Sequence, residues 1–234
     1  MSATIRIALN EKLYLRDPEQ TELGRKIIAE SIRMIDQIGF EHFTFKKLAA
    51  MMESTEASVY RYFENKHKLL IYLISWYWVW LDYEIGFQTN NLQDARRKLQ
   101  VVIGIIAQHR PSNLGLAHID EGALSRIVVA EASKAYLTKE VDDDNRDGFF
   151  REYKTLCSKI ADIILEINPT YPYPRALVST LFEAARKQRF FAQHLSSLTE
   201  ARIDPPDEGG IAQFLAHLAF SAVQVPPVVA PHSP

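Results

Sequence analysis

Residues 69–81 form a run of thirteen positions interrupted by a single polar side chain, Ser75. A bilayer span needs roughly 20 apolar residues, so the run is too short to cross a membrane and too apolar to lie on a surface. Wound as a helix, it carries Trp76, Tyr77, Trp78 and Trp80, with Tyr83 just beyond, and turns aromatic groups to every side. A helix of this kind leaves no face for water and must be enclosed by its neighbours. The chain has material for that enclosure: 47% of its 234 residues are hydrophobic and 24% charged, which excludes a disordered composition.

The enclosing elements are expected to be helices. Only 9 glycines occur, and there is no series of short alternating segments with turns between them, which argues against an all-β fold. Across 21–37, Ile28, Ile32 and Ile35 recur at helical spacing while Glu30, Arg33 and Asp36 point elsewhere, and Gly39 supplies a left-handed stop. Thr44 caps a second, short helix through Met52, with Leu48, Ala49 and Met52 on one side and Lys46 and Lys47 on another. A third spans 56–63, and Asn65 caps a long fourth over 66–85. Further helices are expected over 92–109, 120–138, 146–167, 174–198 and 209–224, broken at Pro111, at Asp142 to Asp144, at Pro169 to Pro174 and at Pro205 to Gly210. The sum is an all-α fold of about nine helices. Ile5, Ile7 and Leu9 alternate with polar or small residues, which suits a short extended arm, and the prolines at 226, 227, 231 and 234 make a loose tail.

Charge and side-chain chemistry remove whole classes of function. A formal charge of -2 excludes a chain that coats nucleic acid by charge alone, so any such contact must be local. The single cysteine, Cys157, cannot form an internal disulfide or a multi-thiolate metal site, and on an amphipathic helix it reads as a small buried hydrophobe. The seven histidines, 42, 67, 109, 118, 194, 217 and 232, show no paired metal spacing. Asp142, Asp143 and Asp144 fail the calcium-loop pattern because Arg146 takes the fifth position and Asp147 the glycine position, and they read as a solvated loop. No GxSxG elbow, phosphate loop or dinucleotide glycine pattern occurs. The expectation is no enzyme, no metal and no cofactor. The N-terminus lacks the pattern of a secretory signal, which suits a cytoplasmic chain outside the membrane.

Two short helices joined by a tight turn, with a third behind them, make a helix-turn-helix whose second element lies in the DNA major groove. Ala49 is small enough for close helix approach, Val59 and Phe63 are four apart and face the core, and Ser58, Arg61 and Tyr62 are then expected to project outward.

The stretch FTFKKLAAMMESTEASVYRYFENKHKLL, residues 43–70, resembles the DNA-binding module of TetR-type transcriptional regulators. The resemblance rests on Gly39 and Phe40 closing helix 1, Thr44 opening helix 2, Leu48 and Ala49, the Val59-Tyr60 pair, Phe63, and Asn65-Lys66 followed by Leu69 and Leu70. One departure stands out: the turn usually carries glycine, and this chain has Glu53-Ser54. If the turn requires positive φ at Glu53, the cost is about 1 kcal/mol relative to glycine. Across 42–70, five cations (Lys46, Lys47, Arg61, Lys66, Lys68) face three carboxylates (Glu53, Glu56, Glu64), leaving +2.

The resemblance implies a ligand-responsive regulator, usually a repressor, that binds a palindromic double-stranded operator as a homodimer and answers to a small-molecule effector. It implies that Tyr60 and Lys66 hold phosphates, that Glu56, Ser58, Arg61 and Tyr62 meet base edges, and that Thr44, Lys46 and Thr55 lie at the same face. It implies an arm at 1–20, a DNA-binding head at 21–66, an effector-binding and dimerisation body at 67–224 and a tail at 225–234. Within the body, Tyr72, Trp76, Trp80, Tyr83, His109, Phe149 and Tyr153 are the candidate effector contacts, an aromatic set that equally suits plain packing. Leu177, Leu181, Ala184, Phe191 and Leu195 on one stripe, with Ile211, Phe214, Leu215, Leu218 and Ala222 on another, are the candidate dimer surface. A second reading stays open: a TetR-like small-molecule sensor or interaction protein that does not read DNA in the usual way.

Overall fold

The computed structural model describes residues 9–107, 118–202 and 209–224. Every regular element among them is helical. Eleven α-helices follow in order: α1 (Glu22–His42), α2 (Phe45–Met51), α3 (Glu56–Tyr60), α4 (Lys66–Thr89), α5 (Ala95–Ala107), α6 (Glu121–Glu131), α7 (Ser133–Tyr136), α8 (Val141–Arg146), α9 (Arg151–Ile167), α10 (Pro174–His194) and α11 (Gly210–Gln224). The all-α expectation holds, with more and shorter pieces: the 120–138 stretch breaks at Ala132 into α6 and α7, and the 174–198 stretch ends at His194 before a 3-10 turn at Ser196–Leu198. None of these helices is long and apolar enough to cross a membrane.

The chain divides into two compact units. The first holds Met1–Asp82 and Arg110–Tyr153, the second Tyr83–His109 and Lys154–Pro234. In the first, Ile27, Ile28, Ile32 and Ile35 of α1 are buried, as their spacing demands, against a core shared with Phe43, Leu48, Val59 and Phe63. Gly39 adopts φ 75° and ψ 157°, conformational space open to glycine, and kinks the end of α1. Residues 69–76 of α4 are all buried, so the all-round apolar run is enclosed.

One correction arises at the edge of this unit. Asp142 to Asp144 do not form a solvated loop: they sit in α8, Asp144 is buried, and its Oδ2 lies 3.1 Å from His67 Nε2 on α4. Three carboxylates in a first turn suit the positive end of a helix, which is why this acidic run can coil. The residues before α1 form 3-10 turns at Glu11–Leu13 and Pro18–Gln20, with Leu13 fully buried, while Ile5 and Ile7, on which the extended arm was expected, lie outside the described residues, as do His109 and the Pro-rich tail.

In the second unit α5 packs against α10 and α11. Lys98 Nζ pairs with Glu166 Oε2 at 2.9 Å, Asn168 Nδ2 donates to the Val223 carbonyl at 2.8 Å, and the Arg189 guanidinium donates to the Ala107 carbonyl. Cys157 is buried on α9.

Candidate nucleic-acid interface

The helix-turn-helix is built from caps inward. Thr44 Oγ1 accepts from the Lys47 amide at 3.2 Å and starts α2; Thr55 Oγ1 accepts from the Ser58 amide at 3.3 Å and starts α3. Asn65 Oδ1 accepts from the Lys68 amide at 2.8 Å and opens α4. Between α2 and α3 the Ser54 amide donates to the Ala49 carbonyl at 2.9 Å and the Glu53 amide to the Ala50 carbonyl at 3.2 Å. These paired bonds form a Schellman motif, whose residue just past the cap needs a left-handed backbone. Glu53 occupies that place at φ 54°, the one non-glycine residue with positive φ among the described residues.

The outer surface of this unit gathers most of the expected residues. Thr44, Lys46, Thr55, Glu56, Tyr60 and Arg61 are exposed and Ser58 is half-buried. Tyr60 is 46% exposed and leans its ring edge on Phe45, centroids 5.0 Å apart, which fixes its direction. Lys46 and Arg61 have no hydrogen-bond or ion-pair partner among the described residues.

Tyr62 is a correction. Expected to project outward, it is 2% exposed, and its hydroxyl lies 2.7 Å from Thr21 Oγ1, the N-cap of α1. The reason is the length of α3, which ends at Tyr60 rather than at 63. The next turn tightens, with the Tyr62 amide bonded to the Val59 carbonyl at 2.9 Å, and three-residue spacing then swings Tyr62 onto the inward face of Val59. Arg61 stays outside.

Lys66 sits in a crowded place. Its ammonium donates to the carbonyls of Phe40 at 3.1 Å, Glu41 at 3.4 Å and Phe43 at 3.4 Å, and lies 4.6 Å from the Phe40 ring centroid. It therefore satisfies the carbonyls that the kinked end of α1 leaves without partners. Sequence reasoning missed the groups opposite. The buried Glu131 on α6 accepts from the Phe40 amide at 3.0 Å, and Lys134 bridges Glu131 and Glu41 at 2.8 Å each. Arg126 clasps Asp36 with two bonds, 2.9 and 2.7 Å, and that hydrogen bonding raises the guanidinium pKa further. Their sequence signal was slight, an acidic residue inside an apolar helical run.

The aromatic candidates separate. Tyr72 packs edge-on against Phe63 and Tyr14, at 5.3 and 6.1 Å, inside the helix-turn-helix unit, and burial followed by the nearby Glu19 pushes its hydroxyl pKa well above the usual tyrosine range. Trp76, Trp80 and Phe149 are buried. Tyr153 lies tilted against Trp78, centroids 4.6 Å apart, and stacks on Tyr136 at 6.2 Å, partners that spacing alone did not suggest. Tyr83 is exposed in the second unit, stacked on Phe87. On α10 and α11, Leu177, Leu181 and Leu215 face their own core and offer no surface, which corrects their assignment to an interface. Ala184, Phe191 and Leu218 are half-buried, and Leu195 and Phe214 are 47% and 43% exposed, joined by Phe190 and Leu198.

Residues 27–73 match the family model described as bacterial regulatory proteins, tetR family. Curated proteins yield no sequence match. Among solved structures, the chain is similar to AibR in complex with isovaleryl coenzyme A and operator DNA, with TM-score 0.57 and 14% identity over 83% of this chain and 97% of that one. It is similar to the fatty acid degradation regulator FadR from Bacillus halodurans, with TM-score 0.56 and 17% identity over 83% and 92%. The superantigen PfiT shares the fold as well, with TM-score 0.55 and 17% identity over 89% and 96%. Identities this low carry the fold alone. Residues 27–73 thus resemble the DNA-binding segment of bacterial tetR-family regulatory proteins, and the helical fold is shared with these solved structures.

Proposed function

We propose that the chain is a ligand-responsive transcriptional regulator that binds a palindromic operator as a homodimer and represses. The observation that carries this reading is one face on which Thr44, Lys46, Thr55, Glu56, Tyr60 and Arg61 are exposed around a helix-turn-helix whose inner residues are buried. Such a face can hold phosphates through Tyr60 and Lys46 and discriminate bases through Arg61, whose fork suits guanine. In this reading 21–66 is the reading head, 67–224 the effector and dimer body, and 1–20 and 225–234 the arm and tail. Phe190, Leu195, Leu198 and Phe214 supply exposed apolar surface for pairing, and a two-fold dimer is what two half-sites require.

The effector contacts are assigned to Trp76, Trp80, Phe149 and Tyr153. AibR and FadR, by description, handle an acyl coenzyme A and serve fatty acid degradation, which favours an effector with an apolar acyl part. An effector acts only through its different affinity for two helix arrangements. The grip of α6 and α7 on the C-terminal end of α1, through Arg126 and Glu131 of α6 and Lys134 of α7, supplies a mechanical link from the body to the head.

The test is fluorescence anisotropy of the full chain on a labelled duplex selected from a randomised pool, repeated across salt concentrations. A reader neutralising several phosphates loses affinity with a slope of about -0.9 per contact. Arg61→Ala should relax base preference at one position by about 1 to 3 kcal/mol, while Lys46→Ala should weaken all sequences alike. A salt-independent response overturns the reading. It would leave the alternative, a sensor that does not read DNA, which the exposed carboxylates of Glu53 and Glu56 beside the recognition helix favour.

A further inference from the structure

Of the five cations within 42–70, three are committed inside the protein. Lys47 donates to the His42 carbonyl at 2.8 Å, Lys66 to three carbonyls, and Lys68 to Glu64 at 2.7 Å. Only Lys46 and Arg61 remain without such partners among the described residues. Two cations beside Glu53 and Glu56 are a thin counterpart for a polyanion, and a further source of positive charge is needed on the same face.

The segment before α1 carries one beside the end of α3. Its backbone is fastened to the end of the recognition element: the Leu15 amide donates to the Tyr62 carbonyl at 2.8 Å. The next residue, Arg16, then lays its guanidinium over the Tyr62 ring, 5.6 Å from the centroid. Arg16 is exposed and has no hydrogen-bond or ion-pair partner among the described residues. Its neighbour Asp17 is turned away, with one carboxylate oxygen accepting from the Glu19 amide and the other from Gln20 Nε2, both at 2.9 Å.

The segment is held in place from end to end. Asn10 Nδ2 donates to the Asp147 carbonyl at 2.8 Å and Lys12 pairs with the Asp147 carboxylate at 2.6 Å. Leu13 is fully buried. Arg25 Nη1 donates to the Glu19 carbonyl at 2.6 Å, and Pro18 crosses α1 so closely that a Cβ on Gly24 would lie 2.3 Å from the Pro18 oxygen. A strap pinned this way loses no chain entropy when it meets a partner.

We propose that this strap is part of the nucleic-acid interface and that Arg16 is a phosphate-contacting residue of it, flanking Arg61 across the buried Tyr62 ring. The inference rests on the DNA-binding reading above and extends it to a residue outside the helix-turn-helix. Tyr62 then acts as a platform: it reads no base, but it aims one guanidinium at the duplex backbone.

The experiment is the same salt titration with the full chain and the duplex selected by the wild type, using Arg16→Gln, Arg16→Lys and Arg61→Gln. Removing one phosphate contact should reduce the magnitude of the slope by about 0.9, equal to about 8-fold in affinity for each tenfold change in salt. Arg16→Gln should show that reduction for selected and random duplexes alike. Arg16→Lys should keep the wild-type slope, because it keeps the charge and gives up only the guanidinium's contact over the Tyr62 ring. If both Arg16 variants lose slope equally, or Arg16→Gln keeps it while Arg61→Gln binds poorly, the strap is structural and this inference is overturned, with the regulator reading intact. If the wild type binds no duplex, both fall together.

Discussion

Glu53 stands where the Schellman motif at the end of α2 demands a left-handed backbone, and it adopts φ 54° to meet that demand. Replacing it with glycine removes a Cβ from a conformation that costs an L-residue about 1 to 2 kcal/mol. The gain is offset by the extra freedom of glycine in the unfolded chain, about 0.4 to 1 kcal/mol. A further small gain comes from removing a carboxylate from the negative end of a helix, about 0.3 to 1 kcal/mol at an exposed site. Glu53→Gly should therefore be the more stable protein, by about 1 kcal/mol, or about 2 to 4 °C in Tm for a chain of this size.

The control that isolates the backbone is Glu53→Ala, which removes the same charge and keeps the Cβ. Alanine recovers only the electrostatic part, so thermal unfolding followed by circular dichroism should rank glycine above alanine and alanine level with or slightly above wild type. Equal Tm values for glycine and alanine would show that the left-handed strain at 53 only matches the extra unfolded-chain freedom of glycine, about 0.4 to 1 kcal/mol, and the larger strain argued for the turn would be wrong. A glycine variant less stable than wild type would show that the unfolded-chain effect exceeds the strain.

Two further outcomes follow from the same unit. Tyr62→Phe deletes the hydroxyl 2.7 Å from Thr21 Oγ1 and should lower stability by about 1 kcal/mol in urea unfolding while leaving the base preference of the selected duplex unchanged; altered preference would return Tyr62 to the reading surface. Glu131→Ala leaves the buried Phe40 amide unpaired and Lys134 with Glu41 alone, and should cost about 1 to 3 kcal/mol, with faster exchange of the Phe40 amide hydrogen as the local readout.

The fold was legible where periodicity carried it. The isoleucines of α1, the apolar run of α4 and the caps at Thr44 and Asn65 each repeat a local rule, and local rules survive in a single sequence. The exposure of Lys46 and Tyr60 was legible because it follows from helix phase. Tyr62 was misplaced because α3 stops two residues after Ser58, and a helix end is decided by tertiary contacts such as the one with Thr21. Asp144 was misplaced for a related reason, since its partner His67 lies 77 positions away and no spacing rule connects them. The strap was unreadable as structure because its anchors, Asp147 and the Tyr62 carbonyl, are also remote.

Phe40 shows why the long-range pieces matter to the function proposed. Its amide is taken by Glu131 of α6 and its carbonyl by Lys66 of α4, so the residue after the Gly39 kink is held through both the peptide before it and the peptide after it. With both groups bonded, rotating the end of α1 requires moving α6, α4 or both, because leaving either group unpaired in a buried place costs about 1 to 3 kcal/mol. That cost is comparable with the 1 to 3 kcal/mol typical of coupling between two sites. A shift of α6 that preserves these bonds carries the head with it, whereas one that breaks them releases the head at a comparable energy. In the proposed reading the bonds at Phe40 set the stiffness of the link between body and head, and a ligand that discriminates between two positions of α6 would need no contact with the helix-turn-helix to change what it binds.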